Sequence, residues 1–448
     1  MKTKLLNLLV AAQVLSLGTA SAANYTFTNL LDSTGDFAVF YHCAAINQAG
    51  VVAFHAGRDS GVEGIYRTDG SSVTTILDDS TGEFSFCPHP RCLESRPAID
   101  DDGTVAFFVY HQVGEWDYRA SVRTGSGGPT TVIAEDSSDI GTFYDAFSNP
   151  AIRNGVVSFR GGLNAPPGNP HGVFTAPAGG GGHSVVAQEG GKFADNFSET
   201  SINANGQVAF WAVLTNSAEG IFVGPNGTTT IATTEAGSPF VRLFDFPKIS
   251  DHGWVVFYAQ TTNLTYGVFY GNGGALTEVS VAGGGEIEDS FPSINSSGTV
   301  VCLGRLPSNA RAILAGSGGT VEKVIAEGDP LFGSTVSSLR EPGSHALNNA
   351  GQIVFTYSLE NGVEGLAIAT PTGAPPTERP RLEIERLDAA HVRLAWPTNA
   401  AGFELEAAAA LPSGDWAAVT NSPVVEGGRL TVTLEIHAAP QFFRLRKQ

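Results

Sequence analysis

Apolar and polar positions alternate along most of this chain in short runs, bounded by Gly, Asn, Asp and Pro. That is the pattern of β-strands, and no extended run carries the 3.6-residue period of an amphipathic helix. One phrase recurs seven times: an apolar stub, a polar tight turn, then an apolar strand. It reads AINQAGVVAF at 45–54, AIDDDGTVAF at 98–107, AIRNGVVSF at 151–159 and SINANGQVAF at 201–210. Further on come KISDHGWVVF at 248–257, SINSSGTVVC at 293–302 and ALNNAGQIVF at 346–355.

Each part of the phrase has a physical reason. Asn47, Asp100, Asn203, Asn295 and Asn348 open the turn, where a short side-chain oxygen can accept a hydrogen bond from backbone two residues on. The glycine that follows takes a positive φ that a β-carbon would resist. The second and fourth residues after it, such as Val52/Phe54 and Val208/Phe210, face one side, with a small or β-branched residue between them. A strand covered on both faces is expected. The third copy is one residue short and has Arg153 at the turn-opening position, so its turn should differ.

The seven glycines lie 45 to 53 residues apart, a period that signals blades or coils rather than independent domains. Two further strands recur in each unit: a Gly-Val/Ile-aromatic one (GIYR at 64–67, GVFT at 172–175) and a Thr/Val-rich one ending in acidic or glycine residues. Four strands per unit predict an all-β fold, a seven-bladed β-propeller over 23–371. The seventh unit ends at GLAIATP (365–371) without a fourth strand, while YTFTNLLDSTGDF (25–37) resembles the fourth strand of another unit. An N-terminal strand completing the last blade would close the ring and leave no open edge.

The phrases resemble the tandem repeat named for its Asn-x-x-Gly-x-Val-Ala-Phe motif, found in secreted bacterial proteins with varied C-terminal attachments. The resemblance covers roughly residues 25–370; NQAGVVAF (47–54) and NANGQVAF (203–210) fit fully, and the other copies depart at one to four positions. It implies a repeat architecture and no particular activity. After a Pro-rich linker (372–380), residues 381–448 alternate as a small β-sandwich. Their LAWP, GFELE and FFRLR segments resemble a fibronectin type III-like module, with Trp396 and Trp416 expected in its core.

Composition narrows function by exclusion. The formal net charge is −19, and residues 24–371 hold 15 Lys and Arg against 35 Asp and Glu. Such a surface repels phosphate backbones, so nucleic acid is not an expected partner. Lys2 and Lys4, the apolar run from Leu5 to Leu17 and Ala20-Ser21-Ala22 read as a secretory signal peptide over 1–22. The protein is therefore expected outside the cell, in the periplasm or at the cell surface, as a monomer with no transmembrane segment. In that setting Cys87 and Cys92, in CPHPRC, are expected to form a loop-stapling disulfide, with zinc on Cys87, His89 and Cys92 as the lesser reading. Cys302 stands in a phenylalanine slot as a core thiol, and Cys43 is expected free.

No His-Glu-x-x-His, Cys-x-x-Cys or Gly-x-Ser-x-Gly motif is present. DDDG at 100–103 fills the repeat's turn slot and lacks the downstream Glu of a calcium loop. His345 takes the place of a proline in other units and is expected near the channel mouth. One acid precedes each innermost strand: Asp36, Glu94, Asp145, Asp195, Asp245, Asp289 and Glu341. A ring of these carboxylates could hold a cation, calcium being the natural one outside the cell, or a polyhydroxylated ligand. The reading that follows is an extracellular binding module for a glycan or protein ligand. The alternative is a polysaccharide-active hydrolase or lyase using those carboxylates as acid and base.

Overall fold

The computed structural model describes residues 25–372 and 382–447, apart from short stretches at 42, 87–93, 115–116, 137–142, 146, 165–167, 289–290, 344, 389, 398–402, 409–415, 420, 422, 427–428 and 436–440. Cys87 and Cys92 lie outside the described residues. Between Tyr25 and Pro371 the strands form seven sheets, all antiparallel but for one short parallel edge pairing in the sixth. Sheet 1 covers 37–78, sheet 2 84–135, sheet 3 143–188, sheet 4 193–233, sheet 5 240–278, sheet 6 280–326 and sheet 7 330–371.

Sheet 7 is completed by the first described strand. Tyr25–Asp32 pairs antiparallel with Glu364–Pro371, with Thr28 opposite Ile368 and Leu31 opposite Leu366. The Tyr357 hydroxyl donates to Asn29 Oδ1 at 2.9 Å across the same seam.

The recurrent apolar residues become the seams between sheets. Phe54, Phe107, Phe159, Phe210, Phe257 and Phe355 are at most 2% exposed, and Cys302 in the same slot is fully buried. Ile65, Ala53 and Val105 meet between sheets 1 and 2, and Val122 and Phe174 between sheets 2 and 3. The series continues through Phe210, Phe257, Cys302 and Phe355. It returns to its start where Phe54 and Tyr66 of sheet 1 pack on Val354 and Leu366 of sheet 7. Seven sheets share seven clusters, so the order of contacts closes on itself.

The Gly-x-aromatic strand has a packing cause. A β-carbon built on Gly64 would lie 2.9 Å from the Tyr66 ring, and one on Gly172 3.1 Å from Phe174. Glycine leaves room for the ring two residues on. That ring joins a three-membered aromatic cluster: in sheet 4, Phe193, Phe210 and Phe222 have centroids 5.3 to 5.8 Å apart. The same trio recurs as Phe37, Phe54 and Tyr66 in sheet 1 and as Phe143, Phe159 and Phe174 in sheet 3. Such pairs add about 0.5–1.5 kcal/mol each beyond burial.

Residues 382–447 form a four-stranded and a three-stranded sheet that share a core of Leu394, Trp396, Leu405 and Val432. Trp396 is 1% exposed, as a core residue should be. Trp416 is only half-buried, and its indole lies under the Arg444 guanidinium at 4.2 Å. Arg444 is held there by Glu406, which also binds Arg446.

Candidate functional site

The seven turns of the repeated phrase gather at one mouth of an axial channel. Asn47 shows what the turn-opening residue does. Its Oδ1 accepts the N–H groups of Ala49 and Val51, while its Nδ2 donates to Asp100 O on sheet 2 at 3.0 Å. Asn203 reaches Ser250 O, Asn295 reaches Asn348 O, and Asn348 reaches Asn47 O, at 3.0 to 3.1 Å. The carboxylate of Asp100 has no N–H to give, and the direction reverses: it accepts from Asn154 N and Gly155 N at 3.0 and 2.6 Å. Asn154 Nδ2 continues to Ala204 O, and His252 Nδ1 to Ser296 O. Every sheet is thus tied to the next, and the repeated asparagine is a structural clasp. Asn348→Ala removes one clasp, leaves Asn47 O with the Gly50 N–H alone and takes the Oδ1 acceptor from Gln352 N, so it should destabilise by about 1–2 kcal/mol in a urea titration.

The short third turn does differ. Asn154 and Gly155 both have positive φ (50° and 71°), a two-residue turn of the kind Asn-Gly favours. The consequence is chemical: Arg153 is released from turn duty and reaches over the channel mouth. Its Nη1 meets Asp101 at 2.7 Å and its Nη2 meets Asp251 of sheet 5 at 2.8 Å. Burial works to raise the Asp251 pKa, but the Ala204 N–H and the Arg153 guanidinium pull it below the usual carboxylate range.

Inside the mouth stands an apolar collar with one residue from each sheet: Ile46, Ile99, Ile152, Ile202, Ile249, Ile294 and Leu347. The free volume there is about 60 Å³. Lys248 and His345 line it, and Lys248 Nζ donates to His345 Nδ1 at 2.5 Å. Burial pushes the Lys248 ammonium down to about 7, against the pull of Asp251. Burial first, and the Lys248 charge second, hold His345 well below its ordinary value.

At the opposite mouth Arg96 lies flat on Phe291, 4.2 Å from the ring centre, and touches Glu199 at 3.4 Å. Burial raises the Glu199 pKa, opposed by Arg96 and by the Asn149 amide. Here the acids expected from sequence can be located in part. Glu94 and Glu341 lie close enough to favour the Arg96 charge, and Asp245 close enough to disfavour that of Glu199. Glu341 Oε1 also accepts the Phe291 N–H at 2.5 Å. Asp36 stands apart, exposed beside Arg58 at 3.9 Å. Asp289 and the side chains of Asp145 and Asp195 lie outside the described residues. No group of three or more His, Cys, Asp or Glu among the described residues could hold a metal ion. Arg96 supplies positive charge to this mouth. The free volume at Arg96 is about 20 Å³, room for one water.

A larger space opens beside the other mouth, between the turns of sheets 4, 5 and 6. It measures about 490 Å³, within the usual range for small-molecule sites. Trp254 and Tyr270 form its aromatic part, with ring centres 5.7 Å apart and planes at 67°. Asn205, Gln207, Asp251, His252, Asn272, Ser296 and Ser297 supply polar groups around them. Ser296 is 4% exposed, and its Oγ has no hydrogen-bond partner. A buried hydroxyl without a partner among the described residues calls for an explanation, a bound water or ligand among them.

The repeated phrase carries a signal for this cleft that its shared pattern hides. The residue after the turn glycine is Val51, Thr104, Val156, Gln207, Thr299 or Gln352 in six copies, and Trp254 in the fifth. A tryptophan in a slot otherwise filled by small or polar residues answers no need of the repeat.

The closed series of sheets around a channel defines an all-β protein of the β-propeller kind. The chain belongs to DUF7453, a family of unknown function whose model matches residues 46–365, from the innermost strand of sheet 1 into sheet 7. Among solved structures it is similar to the β-propeller domain of the Trilobed protease from Pyrococcus furiosus, at 9% identity over 76% of this chain and 97% of that one, with a TM-score of 0.48. It is similar to PorZ, a surface component of the type-IX secretion system of Porphyromonas gingivalis, at 13% identity over 88% and 53%, with a TM-score of 0.40. An oligogalacturonate lyase from Vibrio parahaemolyticus matches at 9% identity over 77% and 96%, with a TM-score of 0.33. No curated protein matches. Likenesses of this degree carry nothing about chemistry.

Proposed function

We propose that this is an exported seven-bladed β-propeller with a small fibronectin type III-like sandwich behind it, and that it binds a glycan in the Trp254 cleft. The observation that carries the reading is the cleft's make-up: an aromatic pair, amides and hydroxyls beside one carboxylate and one imidazole, and one buried hydroxyl lacking a partner. Sugars present apolar C–H faces that sit on aromatic rings, and hydroxyls that each give and accept a hydrogen bond. Export rests on the charged, apolar and small-residue segments of 1–22, and the Cys87–Cys92 disulfide on the oxidising compartment that export implies. Binding is favoured over hydrolysis because the Arg96 mouth, where carboxylates meet, has room for a water and not for a sugar ring.

The test is a glycan array followed by calorimetry on the hits, with Trp254→Ala and Asn272→Ala. Trp254→Ala should weaken binding by about tenfold or more, since an aromatic stack contributes on the order of 1–3 kcal/mol. Asn272→Ala, which leaves the aromatic pair intact, should weaken it less with unchanged melting. Full binding by both variants would place the ligand elsewhere.

A further inference from the structure

The cleft's charge pattern says which sugars it can take. We infer that the Trp254 cleft selects uncharged sugars and rejects uronates, with Ser296 Oγ as the group that reads a ligand hydroxyl; this rests on the glycan reading of the same cleft. Its lining contains one carboxylate, Asp251, and neither lysine nor arginine. A sugar carboxylate is recognised by a cation, above all by the two-pronged fork of arginine. Arg153, the guanidinium that Asp251 holds, is already engaged on both sides by Asp101 and Asp251. Asp251 in turn is ionised at neutral pH, since Ala204 N–H binds its Oδ1 at 2.8 Å while Arg153 binds its Oδ2. A uronate entering the cleft would bring a second negative charge towards this one with no lysine or arginine in the lining to offset it, the one base there being the His252 imidazole. The field of the whole ring works the same way, because residues 24–371 carry twenty more acids than bases.

What the cleft does offer is matched to hydroxyls. Asn205 Nδ2 is held by Asp251 O, Ser297 Oγ by Asn295 Oδ1, and His252 Nδ1 by Ser296 O. These bonds fix the walls before any ligand arrives. Ser296 Oγ differs from them in having nothing to bind, although its backbone N–H and carbonyl are both engaged, by Asn349 and His252. A hydroxyl held at a fixed place, buried and unpaired, discriminates strongly for a ligand that pairs with it.

The experiment uses the full chain and matched oligosaccharides that differ only in oxidation at C6: neutral gluco-, manno- and galacto-oligomers, and their uronate counterparts. Binding is measured by calorimetry at low and at physiological salt. The neutral partner of a pair should bind at least about tenfold more tightly at low salt, and the gap should narrow as salt screens the charges. Ser296→Ala should weaken the neutral ligand by about three- to tenfold, with melting unchanged or raised. Equal or tighter binding of the uronate, lost in Trp254→Ala, would overturn the selectivity while leaving the cleft a glycan site. Loss of neither affinity in Ser296→Ala would overturn the role of that hydroxyl. Binding of neither class, or binding indifferent to Trp254→Ala, would remove the glycan reading and this inference with it.

Discussion

Deleting residues 24–36 is expected to collapse the ring rather than trim it, with a loss on the order of 5 kcal/mol and a strong tendency to aggregate. The deleted strand is not an appendage. Its backbone pairs along Glu364–Pro371 from Tyr25 opposite Pro371 to Asp32 opposite Gly365. Phe27 meets the Phe355 ring edge-on at 6.0 Å, and Leu30 and Leu31 pack on the cluster shared by sheets 7 and 1. Each half-buried apolar side chain contributes about 1 kcal/mol, and the lost backbone pairing and the Tyr357–Asn29 bond add to that. The exposed edge of Glu364–Pro371 would then be a row of unpaired N–H and C=O groups beside an apolar seam. Urea unfolding and size-exclusion chromatography read both effects, and a synthetic 24–36 peptide added in trans should restore part of the stability. A deletion variant that melts within a few degrees of the parent would show that the clasp from Asn348 to Asn47 closes the ring by itself.

That strand, the seven turns and the buried phenylalanines were legible because each is written locally or by repetition. A turn needs its Asx residue and its glycine within four positions, and a seam needs its Val-x-Phe. The segment at 25–37 was recognisable because it copies a strand that other units own, and it lies along the strand that lacked a partner. Other features were hidden by distance in the chain. The local role of Asn47 Oδ1 could be read, whereas its Nδ2 binds a carbonyl fifty-three residues away. Lys248 and His345 are ninety-seven residues apart, and Arg153 and Asp251 ninety-eight. They meet only because the ring brings sheets 3, 5 and 7 to one axis, so a single sequence gave no hint of either pair. Glu94 and Glu341 have a guanidinium near them, contributed by Arg96 two residues past Glu94, a partner that nothing in the local pattern of acids names. The Trp254 cleft was missed for a different reason. Attention to what the copies share hides the position at which one copy departs.

Replacing Lys248 by methionine is expected to stabilise the protein at and below neutral pH, and to do so less and less as the solution becomes alkaline. The lysine stands in the channel among isoleucines, with one hydrogen-bond acceptor, His345 Nδ1, and no ion pair within 4.0 Å among the described residues. Its pKa falls from 10.5 to about 7, with burial as the main cause. Between those two values the unfolded chain holds a proton that the folded chain has released, so stability rises with pH through that window. Below it both states are protonated, and the whole penalty of a buried ammonium is present. Above it both are neutral, and the penalty is gone. His345 adds to the acid side: its own depressed pKa makes stability fall further as pH drops below the ordinary imidazole value. Methionine fills a similar volume without a charge, and such replacements of buried charge stabilise by about 1–4 kcal/mol. Thermal melts of wild type and Lys248→Met across the range from acid to pH 10.5 should therefore differ most at pH 6 and converge at the alkaline end. His345→Met should do the reverse of help, because it leaves the Lys248 amine with no acceptor. A Lys248→Met protein that is less stable than wild type at pH 6 would mean that the ammonium is well solvated in the channel, and that its charge contributes to holding sheets 5 and 7 together.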